Sequence, residues 1–201
     1  MTELKLFSDP SAVLSMTFAV AVAVSVLVKL WLASRQVRHV ALHRDQVPAA
    51  FAQTISLAAH QKAADYTLAK ARLGFLELPL NLIVLLGFTL LGGLSALNDL
   101  LVQWLGTGLL QQLVLLVSFS LITGLVDLPL SLYQTFVLEQ RFGFNKMTLG
   151  LWLADLLKSS LMGALIGLPI AALILWLMGA SGGLWWLWAW VAWVAFNLAL
   201  L

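Results

Sequence analysis

The chain has 201 residues, 62% hydrophobic and only 10% charged, with a mean hydropathy of +0.98. Soluble domains are about half apolar and about a quarter charged, so too few charges exist here to cover a water-facing surface. A soluble protein is excluded, a net charge of +2 makes no case for nucleic acid, and the lack of cysteine excludes disulfides and thiolate metal sites.

The expected fold class is an all-α membrane protein, one multi-span domain over residues 1–201, with the lipid bilayer as its first partner. A bilayer core is crossed by about 20 helical residues whose backbone groups bond within the segment. The first span is expected over residues 11–33. Its one charge, Lys29, lies near the end and can snorkel to the interface. No basic region precedes this run, and the run is too long for a signal peptide.

Residues 34–72 form the one sizeable polar segment, carrying Arg35, Arg38, Arg44, Lys62, Lys70 and Arg72. An amphipathic helix is expected there, starting near Pro48 because proline suits a first helical position, and running on into the second span. His39 and His43 have the i,i+4 spacing of a helical zinc pair. The general-base Glu is absent, no third ligand is evident and His60 is far along the chain, so a basic interfacial segment is the simpler reading.

The second span is expected over 73–97, with a short connection over 98–108. The third covers 109–138 and the fourth 149–178, joined by a charged, aromatic turn. The fifth covers 184–201. Lys and Arg set orientation. Residues 34–72 hold six and the turn holds Arg141 and Lys146, while the connections at 98–108 and 179–183 hold none. The N-terminus is therefore expected outside and the C-terminus in the cytoplasm. The short loops and the Leu-, Ala- and Trp-rich spans lean towards a bacterial inner membrane over endoplasmic reticulum. Trp185, Trp186, Trp188 and Trp190 fit an interfacial belt.

Ionisable residues inside membranes are costly and point to function. Glu77, Asp127, Asp155 and Lys158 all fall in the inner halves of their spans. They are candidates for lining a water-filled chamber, and scattered interfacial charge explains them as well. Asp127 sits two residues before Pro129, which removes a backbone donor; it makes either a functional polar spot or a kink with a hydrogen-bonded carboxyl. Asp155 and Lys158, spaced i,i+3, can pair on one face. Glu77-Leu-Pro-Leu-Asn-Leu82 echoes Asp127-Leu-Pro-Leu-Ser-Leu132, and paired broken helices can mark transporter sites. The flanking residues do not continue the echo.

The turn Glu139-Gln140-Arg141-Phe142-Gly143-Phe144-Asn145-Lys146 is chemically the most particular stretch. Gly143 permits a positive φ. Asn145 is the expected N-cap of the fourth span, with Thr148 as the other choice. Glu139 and Arg141 can pair with each other or with a partner. Capping leaves two exposed rings, Phe142 and Phe144, in need of cover.

Residues 133–148, with their Tyr…Glu-x-x-x-Gly-Phe-Asn-x-x-Thr pattern, resemble the N-terminal membrane region of type I CAAX prenyl proteases, integral-membrane zinc metalloendopeptidases with bacterial relatives. His60-Gln-Lys-Ala-Ala-Asp-Tyr-Thr67 is a second match. The resemblance implies a parent enzyme that uses zinc to hydrolyse a peptide or protein substrate, prenylated ones included. Such enzymes hold zinc with a His-Glu-x-x-His helix after the fifth span. That motif is absent from this sequence, so the chain is expected to be the membrane domain without its catalytic domain, itself binding no zinc and inactive alone. No catalytic or metal residue carries over. The expected role of Glu139, Arg141, Phe142, Gly143, Phe144 and Asn145 is to dock the catalytic domain. A non-enzymatic membrane module, transporter-like or scaffold, and an accessory subunit of a separate protease stand as alternatives.

Overall fold

The computed structural model describes residues 9–199, and all regular structure among them is helical. Six α-helices follow in order: α1 Pro10–Leu42, α2 Leu57–Thr89, α3 Gly93–Leu105, α4 Leu109–Tyr133, α5 Leu149–Ala180 and α6 Trp185–Ala199. A π-helical segment, Gln134–Glu139, extends α4, and short 3-10 turns occupy Ala49–Phe51 and Gly182–Leu184. Four of these helices are long and apolar enough to cross a membrane: α1, α2, α4 with its π extension, and α5. The fifth apolar run is helical over the 15 described residues of α6.

Among the described apolar side chains only Ala64, Leu73, Leu101 and Leu138 are buried, while dozens of Leu, Val, Ile and Trp side chains face outward. In water that surface would be untenable; against lipid tails it is the expected exterior.

The helix ends follow local chemistry and correct several expectations. α1 begins where Asp9 accepts a bond from the Ser11 amide at 3.0 Å, with Pro10 at the first position. It runs nine residues past the expected span end, to Leu42. Pro48 does not start an α-helix; it precedes the Ala49–Phe51 turn, and α2 waits for Ser56, whose hydroxyl accepts from the Ala59 amide at 3.3 Å. A hydroxyl acceptor satisfies one of the orphan N–H groups of a first turn, and proline has none to offer. As expected, α2 runs unbroken from the polar segment into the second span.

The second span ends at Thr89, short of residue 97. Gly92 takes φ +80°, a left-handed conformation other residues resist, and α3 starts anew at Gly93. The expected 98–108 connection is therefore largely helix. Within it Asn98 accepts from the buried Gln111 amide at 2.8 Å.

The chain forms two compact units, Met1–Leu91 with Asp127–Lys146, and Gly92–Val126 with Met147–Leu201. In the first, α1 packs on α2, and the π segment packs on α2 from another side. In the second, α5 and α6 pack as a hairpin through Gly182–Leu184. Thr148, not Asn145, caps α5, accepting from the Leu151 amide at 3.2 Å. The Asn145 amide is instead tied back to the Glu139 carbonyl at 3.3 Å, so the chain is still closing the previous helix there.

Candidate functional site: the turn at 139–146 and the stretch that holds it

The turn is built from the end of α4 outward. The π segment widens the helix by one residue per turn, a feature that frequently marks functional sites. Gln134 donates to the Glu139 carboxylate at 3.4 Å. The Glu139 carbonyl accepts from the Phe144 amide at 2.9 Å as well as from Asn145, and the Gly143 amide reaches the Gln140 carbonyl at 3.0 Å. Gly143 holds φ +75°, the positive φ that glycine permits. No ion pair joins Glu139 to Arg141 among the described residues; Glu139 is engaged by Gln134 instead.

Phe142 and Phe144 do not stand bare. Tyr66 on α2 packs edge-on against both, at centroid distances of 5.4 Å and 4.9 Å, an arrangement that aligns ring edges with π faces. The Lys62 ammonium lies 5.5 Å from the Phe144 ring centre. Phe142 is half-buried, while Phe144 remains 53% exposed. The expected cover is thus partly supplied by the chain itself, and Phe144 is the ring left over.

Lys62, Tyr66, Ala69, Leu73 and Leu76 recur at steps of four and three, one stripe of a helix. That stripe faces the turn: the last three line a pocket of about 380 Å³ with Pro129, Leu130, Tyr133, Val137, Leu138, Arg141 and Phe142. The stretch 60–67 and residues 133–146 of the second stretch that carried the family resemblance, far apart in sequence, therefore pack together in one unit.

The polar half of α2 is pinned from its other flank. Arg44 forks onto Asp65, with Nε to Oδ1 at 2.7 Å and Nη2 to Oδ2 at 2.9 Å, and also reaches Asp45 at 3.0 Å. These hydrogen bonds from Arg44, then its charge and that of Arg141, hold the Asp65 carboxyl below the ordinary range against partial desolvation. The same contacts push Arg44 up, so only the carboxylate titrates in an accessible range. Because the folded value is depressed, the stabilisation is present above the ordinary carboxylate value, about 3.9, and fades as pH falls through the folded one. Asp65→Asn is expected to lower the melting temperature at pH 7, and the gap from the wild type should close below about pH 4. A gap independent of pH would remove the ion pair as its cause.

His60 is not remote, as its sequence position suggested. Its Nε2 lies 3.0 Å from the His43 carbonyl, and His43 Nδ1 lies 2.8 Å from the His39 carbonyl, with the His39 and His43 rings 4.3 Å apart. All three line one pocket of about 560 Å³. Their contacts are to backbone carbonyls, and among the described residues no group of three or more His, Cys, Asp and Glu is arranged to hold a metal. The residues present do not fit a zinc site.

The four chamber candidates fall two in each unit. Glu77 shares a pocket of about 330 Å³ with Lys29, Ser25 and Asn81, between α1 and α2. Asp127 is exposed on α4 in the same unit. Asp155 and Lys158 lie in the other unit, both exposed, and no ion pair joins them among the described residues. Lys29, Lys62, Asp65 and Tyr66 were not singled out for these contacts. The motif around His60 was the available signal, and its partners become visible only in three dimensions.

Membrane-length helices, an outward apolar surface and a capped turn locked onto α2 define an integral membrane protein of helical architecture. The chain belongs to the family described as "CAAX prenyl protease N-terminal, five membrane helices", which it matches over residues 36–201. It is 30% identical to "Probable CAAX prenyl protease 1" of Schizosaccharomyces pombe over 85% of this chain and 38% of that one. It is equally 30% identical to "CAAX prenyl protease 1 homolog" of Mus musculus, over 91% and 40%. Among solved structures it resembles S. mikatae Ste24p, with a TM-score of 0.76 and 26% identity over 89% of this chain and 43% of that chain. The chain thus spans about two fifths of the length of these relatives.

Proposed function

We propose that the chain is the membrane-embedded N-terminal part of a zinc-dependent membrane endopeptidase, and that its 139–146 turn docks the catalytic domain of that enzyme. One observation carries the docking role. The turn is held from one side by Tyr66 and by its own backbone bonds, yet Phe144 presents more than half its surface outward. Large apolar rings on a fixed polar turn suit a protein partner. The zinc and its ligands belong to that partner domain, and residues 9–199 are assigned no step of hydrolysis. Glu77, Asp127, Asp155 and Lys158 are proposed to line the chamber wall. The substrate is proposed to be a peptide or protein, prenylated ones included, in line with the names of the relatives. Eight of the eleven Lys and Arg residues fall in 34–72 and 139–148, which supports placing that end of the helices in the cytoplasm.

The test has two arms. The 201-residue chain purified alone should show no zinc-dependent peptide hydrolysis; real activity would overturn the reading. In the intact protein, Glu139→Ala and Asn145→Ala, assayed under conditions where melts show both variants folded, should each lower hydrolysis by about tenfold or more, a loss of about 1.4 kcal/mol. The backbone bonds of the turn survive both substitutions, so a loss of activity without unfolding reports docking. Wild-type rates in both variants would remove the docking role.

A further inference from the structure

The pocket between the α2 stripe and the π segment combines three properties. Its floor is apolar, with Leu73 and Leu138, two of the few buried residues, among its walls. Two arginines, Arg72 and Arg141, line it, and among the described residues neither has a carboxylate within 4.0 Å. Asp65, the acid whose field reaches Arg141, is already forked by Arg44. Finally, both walls grade in the same direction. On α2, Leu76 lies one turn, about 6 Å, deeper into the apolar span than Arg72. On the other wall, Leu130 and Pro129 lie about 16 Å along the helix from Arg141, again on the apolar side.

Cations at one end of a slot, hydrocarbon along its length: that is the inverse image of an anionic amphiphile. We propose that this pocket binds one anionic phospholipid, its phosphate on Arg72 and Arg141 and the start of an acyl chain along Leu76, Val137 and Leu130. Guanidinium matches phosphate oxygens in a planar, bidentate way that a lysine does not. The polar-to-apolar step at Arg72–Leu73 places the two arginines at headgroup level, where basic residues attract anionic lipid. The bound lipid would brace α2 against the π segment from the membrane side, as Tyr66 does from the polar side.

The test uses the intact protein in nanodiscs of phosphatidylcholine containing a minority of phosphatidylglycerol, with retained lipid counted by native mass spectrometry. One phosphatidylglycerol should survive transfer into detergent. Arg72→Gln and Arg141→Gln should each weaken retention about fivefold, the share of one cation near a charged surface. Lys70→Gln removes a neighbouring charge outside the pocket and should leave retention intact. Leu76→Trp keeps both arginines, fills the slot, and should abolish retention. Equal losses in the Lys70 variant, equal retention of phosphatidylcholine, or no effect of Leu76→Trp would each overturn the proposal. So would stabilisation by inorganic phosphate matching that by phosphatidylglycerol, which would mark a free-anion site. A pocket that retains no lipid because a segment of the intact protein cross-links into it overturns the proposal too. Variants that fail to fold are recognised by their melts, and the Lys70 and Leu76 arms then decide.

Discussion

Replacing Tyr66 by Ala should lower the melting temperature in detergent by roughly 5–10 °C, the loss of two aromatic contacts worth about 2–3 kcal/mol together. Tyr66 packs edge-on against both Phe142 and Phe144. Without it the turn keeps its backbone bonds and loses its anchor to α2. Tyr66→Phe retains the ring and should stay within about 1 kcal/mol of wild type, since the hydroxyl carries no part of the edge-on packing. A double-mutant cycle with Phe144→Ala should return a coupling of about 0.5–1.5 kcal/mol. If Phe and Ala at position 66 are equally damaging, ring packing is not what holds the turn.

Gly143→Ala is expected to cost about 1–2 kcal/mol, the penalty of a left-handed conformation for an L-residue. Space is not the obstacle. A Cβ placed there would meet only the Lys62 ammonium at 3.8 Å, an ordinary contact at the end of a flexible side chain. The cost is therefore conformational, and it predicts an ordering. Gly143→Asn should recover part of the loss because asparagine tolerates this region, and Gly143→Val should be worse than Ala because β-branching stiffens the backbone further. Thermal melts of the three variants check it. A neutral Ala variant would mean that φ +75° is not required.

Hydropathy made the membrane helices legible because it measures the term that matters most, the transfer of side chains into hydrocarbon. It is blind to which hydrogen-bond pattern the backbone adopts. The second span was expected to reach residue 97 because Leu94 and Leu97 continue the apolar run, yet the Gly92–Gly93 pair ends it; the backbone freedom of glycine outweighed the greasiness of its neighbours. The π segment has no compositional mark at all. At the turn, Gly143 was readable from its residue type, while the choice between Asn145 and Thr148 as the cap was not. Either side chain can cap, and the outcome was set by the Glu139 carbonyl, which keeps the Asn145 amide on the preceding helix.

Site contacts were legible only as fragments. The stretches 60–67 and 133–148 stood out separately, and nothing in either says that Tyr66 meets Phe142. The Arg44–Asp65 fork spans 21 residues and depends on how α1 turns back into α2. Asp155 and Lys158 teach the reverse lesson. Favourable helical spacing permits a pair, but on an exposed face water or headgroups compete for both charges, and the ion pair does not form.

The π segment also bears on how this stretch tolerates changes in length. In an α-helix, residues five apart point in directions well separated around the axis, whereas here Gln134 and Glu139 meet. The segment therefore holds one residue more than the same path would need at ordinary pitch. A sequence one residue shorter between 134 and 139 could close into plain α-helix while still presenting Phe142 and Phe144 to Tyr66. The same shortening within α4 would swing the turn by about 100° and part it from α2. Length variation among natural sequences is accordingly expected to concentrate at the π segment, where the chain can lose a residue without losing its aim.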